Sequence, residues 1–90
     1  MASLTIDESV DISRVGMLYE KLKDVLENST EIELDISQVK HIDGAGIQLI
    51  YAFYKTAKTQ SVSIRFNNPT DAFISALRIA GLDGRLSPDL

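Results

Sequence analysis

The stretch Glu31-Ile32-Glu33-Leu34-Asp35-Ile36 alternates acid and aliphatic residue without a break. A period of two puts Ile32, Leu34 and Ile36 on one side of a strand and three carboxylates on the other, so the strand buries a single face. Strands covered by helices on both sides read as continuous apolar runs, and this one does not. Leu4 and Ile6 alternate with Ser3, Thr5 and Asp7 in the same way, and Val62, Ile64 and Phe66 alternate with Ser63 and Arg65. Between these strands the period changes. Val15, Leu18, Tyr19, Leu22, Val25 and Leu26 recur at steps of three and four, the stripe of an amphipathic helix that Asn28-Ser29-Thr30 ends. Asp11 or Ser13 is placed to accept from its first N–H groups. The apolar run Ile47 to Ala57 predicts a second helix, with Asp43 ahead of it as cap and as a charge at the positive end of the dipole. Asn68-Pro69-Thr70-Asp71 predicts the start of a third, with Asn at the cap and Pro at the first helical position. Its stripe is Phe73, Ile74, Leu77 and Ala80, after which Gly81 suits a left-handed residue and Leu82 closes over the helix end.

Strand and helix therefore alternate three times, the order of an α/β domain with parallel crossovers. The expected architecture is one small two-layer domain over residues 1–90, with a mainly parallel sheet of three or four strands and helices mostly on one face. Thr5, Glu33 and Arg65 then point to the other face, either into solvent or towards a partner.

The 90-residue chain carries nine Lys and Arg against thirteen Asp and Glu, a net charge of −4, with no cysteine. A chain this short buries roughly 60–65% of its unfolded surface, enough for one modest core. Without cysteine there are no disulfides, thiolate metal sites or cysteine nucleophiles. The acidic balance argues against nucleic acid as a partner, which calls for a basic stripe. Charge is uneven: residues 1–45 hold ten acids and four bases (−6), and residues 46–90 hold three acids and five bases (+2). No segment has the make-up of a signal peptide or approaches the ~20 apolar residues of a membrane span, so a cytoplasmic location without direct membrane insertion is expected.

The segment His41-Ile42-Asp43-Gly44-Ala45-Gly46-Ile47-Gln48-Leu49-Ile50 holds the most chemical information. Two glycines around an alanine at a helix start let another molecule approach the backbone where an anion is favoured. The spacing favours instead a tight turn of small residues beneath the sheet, because the third Gly of a dinucleotide site and the Lys of a P-loop are missing. Along the helix, Leu49, Phe53, Ala57, Ile50, Tyr54, Ile47 and Tyr51 span an arc of roughly 200°, wider than one buried face needs. Tyr51 and Tyr54 at its margin suit an interface, or a core rim with the hydroxyls wet. Enzyme chemistry finds little support. His41 is the only histidine and has no placed nucleophile beside it; Asp35 at a strand end lacks the further acids and Lys of a phosphoacceptor site; and Ser37, the remaining hydroxyl near the motif, suits a loop hydrogen bond.

The residues Val39 to Ile50 resemble the signature of STAS domains, the anti-sigma-factor antagonist family, in which Asp-Ser-Ser-Gly or Asp-Ser-Ala-Gly leads into an apolar helix. Leu34-Asp35-Ile36-Ser37 resembles the family's Asp-Leu-Ser strand end, and Asn67-Asn68-Pro69 with Ala80-Gly81-Leu82 resembles its C-terminal pattern, so the likeness covers roughly residues 31–86. It implies a STAS-like fold and a non-catalytic, bacterial signal-transduction module without a cofactor or metal. That module would act by protein–protein docking through Asp43, Gly44, Ala45, Gly46, Ile47, Tyr51 and Tyr54. Asp11 matches an acid near the family's first helix. Two departures stand out. The phosphorylated Ser of the antagonists falls on Ala45 and the residue before it on Gly44, so neither accepts a phosphate, and the switch that about −1.5 to −2 added charges would supply is missing. The short N-terminus also has room for one strand where the antagonists carry two. The implied partner is an anti-sigma-factor kinase-like ATPase; the alternatives are the ATPase of a lipid-transport ABC transporter and a chemosensory component.

Overall fold

The computed structural model describes residues 2–86 and residue 90. Three strands, β1 (Ala2–Thr5), β3 (Glu31–Asp35) and β5 (Ser63–Asn67), form a parallel sheet in the order β1-β3-β5. Register follows the alternation. Leu4, Leu34 and Phe66 lie side by side, as do Ala2, Ile32 and Ile64, while Ser3, Glu33 and Arg65 form the row between them on the opposite face. The polar row is held laterally: Glu33 accepts from the Asn67 amide at 2.7 Å and faces the Arg65 guanidinium at 3.7 Å. The sheet is thus apolar on one side and polar on the other, and its three-strand, helix-backed form agrees with the sequence reading.

The helices α1 (Val15–Asn28), α2 (Gly44–Thr59) and α3 (Asp71–Ile79) supply the second layer. Leu22 from α1, Ile47, Ile50 and Phe53 from α2, and Phe73 and Leu77 from α3 join Ile32 and Leu34 in one apolar cluster. Tyr54, Phe66 and Phe73 run through it as a chain of rings with centroids 6.0 and 6.3 Å apart, within the range of favourable aromatic pairs. Of the stripe expected on α1, Tyr19 turns out half-exposed, and Leu22 alone is fully buried.

Four local expectations are corrected. A second strand does fit before α1: β2 (Ser9–Val10) pairs in parallel with β4 (His41–Ile42), making a two-stranded sheet separate from the first. Neither Asp11 nor Ser13 caps α1, which starts after Arg14 with no side-chain bond at its end. The Asp11 carboxylate instead accepts from the backbone and hydroxyl of Ser13, closing an Asx turn just before the helix. Helix α2 begins at Gly44 rather than Ile47, because Asp43 takes the N–H of Gly46 at 2.9 Å and draws the glycines into the first turn. Helix α3 begins two residues later than Asn68-Pro69 suggests. Thr70 is its cap, accepting from Phe73, and Asn68 takes a left-handed conformation (φ 54°) ahead of it. Gly81 adopts the expected positive φ of 73°, and the Leu82 N–H returns to the Leu77 carbonyl at 2.8 Å.

Candidate functional site

Asp43 organises the loop end of the molecule. One carboxylate oxygen accepts from Gly46 and caps α2; the other accepts from the backbone N–H of Ile12 at 3.1 Å, thirty-one residues away. Its own N–H donates to the Val10 carbonyl at 3.2 Å. One residue therefore joins the start of α2 to β2 and to the loop that leads into α1.

The two glycines beside it have unlike duties. A Cβ at Gly46 would lie 2.4 Å from the Val10 carbonyl oxygen and 2.8 Å from a Val10 methyl, so α2 can sit on β2 only with hydrogen at that position. A Cβ on Gly44 meets nothing within 4 Å. Gly46 thus answers to the tight-turn reading, and Gly44 is exposed and sterically open. The anion reading loses ground, since the Gly46 N–H is already taken and the charge sitting at the dipole's positive end is the protein's own carboxylate.

The remaining residues singled out in the sequence divide between surface and interior. Asp43 and Gly44 are exposed and Ala45 is half-buried, while Gly46 and Ile47 are buried and support the turn from within. Tyr51 and Tyr54 are half-buried, each with a lysine ammonium over its ring, Lys55 at 5.5 Å and Lys58 at 5.3 Å from the centroid. Tyr54 also packs on Phe66, so its ring belongs to the core rim.

The surroundings of Asp11 and of Asp35 hold both carboxyls below the ordinary carboxylate value. For Asp11 the Ser13 hydroxyl leads, helped by the Ser13 N–H and the charge of Arg14; for Asp35 the cause is the backbone N–H and hydroxyl of Ser37. The Ser37 N–H donates to the Asp35 carboxylate at 3.0 Å, so Ser37 serves the loop after β3. No group of three His, Cys, Asp or Glu side chains placed to hold a metal ion occurs among the described residues, and no helix there is long and apolar enough to cross a membrane.

Two residues near the turn escaped the sequence reading. Ile12 is 75% exposed and Ile79, on α3, is 85% exposed. A signal existed for the second: Ile79 lies off the Phe73, Leu77, Ala80 stripe of its helix. Ile12 sits alone between polar neighbours and carried none.

With this geometry in view, the comparisons with known proteins are specific. A family model described as "Mlab, STAS domain" matches residues 2–88. The chain is also 24% identical over 79 residues to a Bacillus subtilis (strain 168) protein named anti-sigma-B factor antagonist, an overlap that takes in 88% of this chain and 72% of that one.

Proposed function

Because this chain belongs to the STAS domain family, we propose that it is a non-catalytic regulatory module that docks on a partner kinase or ATPase through the Asp43–Gly46 turn and the exposed margin of α2. The observation that carries this reading is the turn itself. Asp43 is tied at both oxygens and at its N–H, so the exposed edge formed by Asp43, Gly44 and Ala45 is presented without the ordering cost of a mobile loop. Tyr51 extends that edge along α2, with its ring half-covered and Lys55 above it. Gly46 and Ile47 contribute from beneath by fixing how closely α2 approaches β2.

Docking at this turn has no phosphate switch of its own. Ala45 and Gly44 carry no hydroxyl, so a kinase that docks here finds no acceptor at the motif and the complex persists in the presence of ATP. Mixing the purified chain with the captured kinase and ATP tests this, and stoichiometric phosphate incorporation would sink it. Capture from the native host, followed by mass spectrometry, should recover an ATP-hydrolysing protein with the wild type and lose it with Gly44→Trp. Gly44 is suited to that test because a side chain there has open space, so the circular-dichroism spectrum stays unchanged. Capture undiminished by Gly44→Trp would move the interface elsewhere.

The same hydroxyl-free turn favours a second reading, a constitutive subunit gripping the ATPase of a lipid-transport ABC transporter, where a fixed grip is wanted. The identity of the captured ATPase separates the two, and recovery of a chemosensory component in its place would assign an adaptor role.

A further inference from the structure

The chain contains two Asp-Gly pairs, Asp43-Gly44 and Asp83-Gly84, and folds them oppositely. In such a pair the glycine leaves its backbone nitrogen unshielded, and the nitrogen can reach the carboxyl carbon of the aspartate before it. At the first pair every part is tied. Both Asp43 oxygens accept hydrogen bonds, its N–H donates to Val10, and its carbonyl accepts from Ile47 at 3.0 Å. At the second, residues 82–85 form a turn closed by the Arg85 N–H on the Leu82 carbonyl at 3.0 Å, with Gly84 at the position that calls for a positive φ, here 77°. Asp83 and Gly84 are both exposed, and among the described residues neither the Asp83 carboxylate nor the Gly84 N–H has a hydrogen-bond or ion-pair partner. The glycines themselves do not distinguish the pairs, since a Cβ on either would meet nothing within 4 Å.

We propose that Asp83-Gly84 is a self-modification site at which the folded chain converts aspartate to isoaspartate, while the fold protects Asp43-Gly44 from the same reaction. The Gly84 nitrogen attacks Cγ of Asp83 and gives up its proton; a carboxyl oxygen leaves as water, and a five-membered succinimide closes. Water then opens the ring. Addition at Cγ breaks the new bond and restores aspartate. Addition at the main-chain carbonyl carbon breaks the old peptide bond instead, so the chain runs on through Cβ and Cγ and a free α-carboxylate remains. One water is lost and one returns, with no oxidant or co-reactant. An exposed turn that holds nitrogen and carboxyl side by side makes the closure intramolecular, whereas Asp43 must release two hydrogen bonds before its Cγ can move. The product has one more carbon in its main chain, a lengthening of about 1.5 Å, inside a turn closed by one backbone hydrogen bond. Leu86 follows that turn directly and is 3% exposed in the core cluster, so the lengthened backbone works it loose. Nothing at the Asp43 turn changes, and the docking reading stands or falls separately.

The test incubates the full folded chain for weeks in H₂¹⁸O at neutral pH and digests it with trypsin in ordinary water, which places the two pairs in separate peptides, residues 79–85 and residues 41–55. Each opening of a succinimide writes one ¹⁸O into its peptide, and isoaspartate is located by retention and by electron-transfer fragments. Label should enter residues 79–85 at least about tenfold faster than residues 41–55, a barrier difference of roughly 1.4 kcal/mol. In urea the two rates should converge. Asp83→Glu, which would have to close a six-membered ring, should leave residues 79–85 unlabelled. In the aged chain the Leu86 methyl signals should move to their unstructured positions while those of Phe73 stay. Equal labelling of the two peptides in the folded chain, no label in residues 79–85, or a ratio that persists in urea would each overturn the site. Isoaspartate at position 83 with the Leu86 methyls unmoved would overturn the loosening.

Discussion

Helices α2 and α3 are built by one device used for two ends. Each starts at a side chain that accepts the N–H three residues on, Asp43 from Gly46 at 2.9 Å and Thr70 from Phe73 at 3.2 Å. Each of those side chains makes a second bond to a segment thirty-one residues back, Asp43 accepting from Ile12 at 3.1 Å and Thr70 donating to the Val39 carbonyl at 2.7 Å. Each helix ends on a left-handed residue followed by a return bond of 2.8 Å, Val62 to Ala57 past Ser61 and Leu82 to Leu77 past Gly81. The contrast lies in the setting. Thr70 is neutral, half-buried and tied to a buried valine, whereas Asp43 is charged, exposed and left with acceptor capacity. A clamp inside the fold serves stability; the same clamp at the surface holds still a group that another molecule can meet. Helix α1, with no side-chain cap at Arg14, has neither.

The comparison can be broken by mutation. The largest effect is expected from Gly46→Ala, because the atom it strikes is the Val10 backbone oxygen at 2.4 Å; overpacking of this kind costs about 1–3 kcal/mol, here at the upper end, read as a lower urea midpoint. Thr70→Val, which keeps the shape and removes both hydrogen bonds, should cost about 2 kcal/mol, since the loss of a cap is joined by an unpaired carbonyl on a buried residue. Asp43→Ala should cost about 1 kcal/mol, the ordinary loss of a cap, because the second group it frees, the Ile12 N–H, lies at an exposed bond. If Asp43→Ala proves the more destabilising, the division of labour drawn between the two caps is wrong. At the other ends, Ser61→Gly should raise the melting temperature by about 4–8 °C, since a non-glycine residue at φ 60° costs about 1 kcal/mol that Gly81 avoids at φ 73°.

The smallest effect is one of pH. Asp11 and Asp35 are held below the ordinary carboxylate value by Ser13 and Ser37, so their stabilisation is present above about pH 4, the unfolded range, and fades as pH falls through their lowered folded values. Asp11 belongs to the loop tethered to Asp43, and Asp35 ends β3. Acid titration followed by NMR should therefore disturb the amides of Ser13 and Ile12 before that of Phe73; simultaneous change at both helix starts would erase the distinction between them.

Those same contrasts explain what could be read from the sequence. Strand β3, the Asp43 cap and the Gly81 stop are legible because their causes are local: a period of two, a carboxylate three residues before an N–H, a residue type free to take positive φ. The STAS signature was legible for the same reason, as a short run of residues. Thr70 lost to Asn68-Pro69 in the reading because what selects it is the Val39 carbonyl, thirty-one residues away. Gly46 looked equivalent to Gly44 because only the approach of Val10 tells them apart. Strands β2 and β4, two residues each, are too short to show any period.

The parallel pairing has a consequence for the order of events on folding. Every described ladder joins strands about thirty residues apart, Ala2 with Ile32, Ser9 with His41 and Glu31 with Ser63, and none is a hairpin that closes early. Ladders of that span are slow to find, because the loop entropy is spent before any pairing is gained. As the chain is synthesised, β1 has no neighbour until β3 follows it, and β2 waits for β4 at the brink of the Asp43 turn. The candidate docking edge therefore takes shape only once the chain has run past residue 43, so a nascent chain would meet its partner after most of the sheet's first half is already in place.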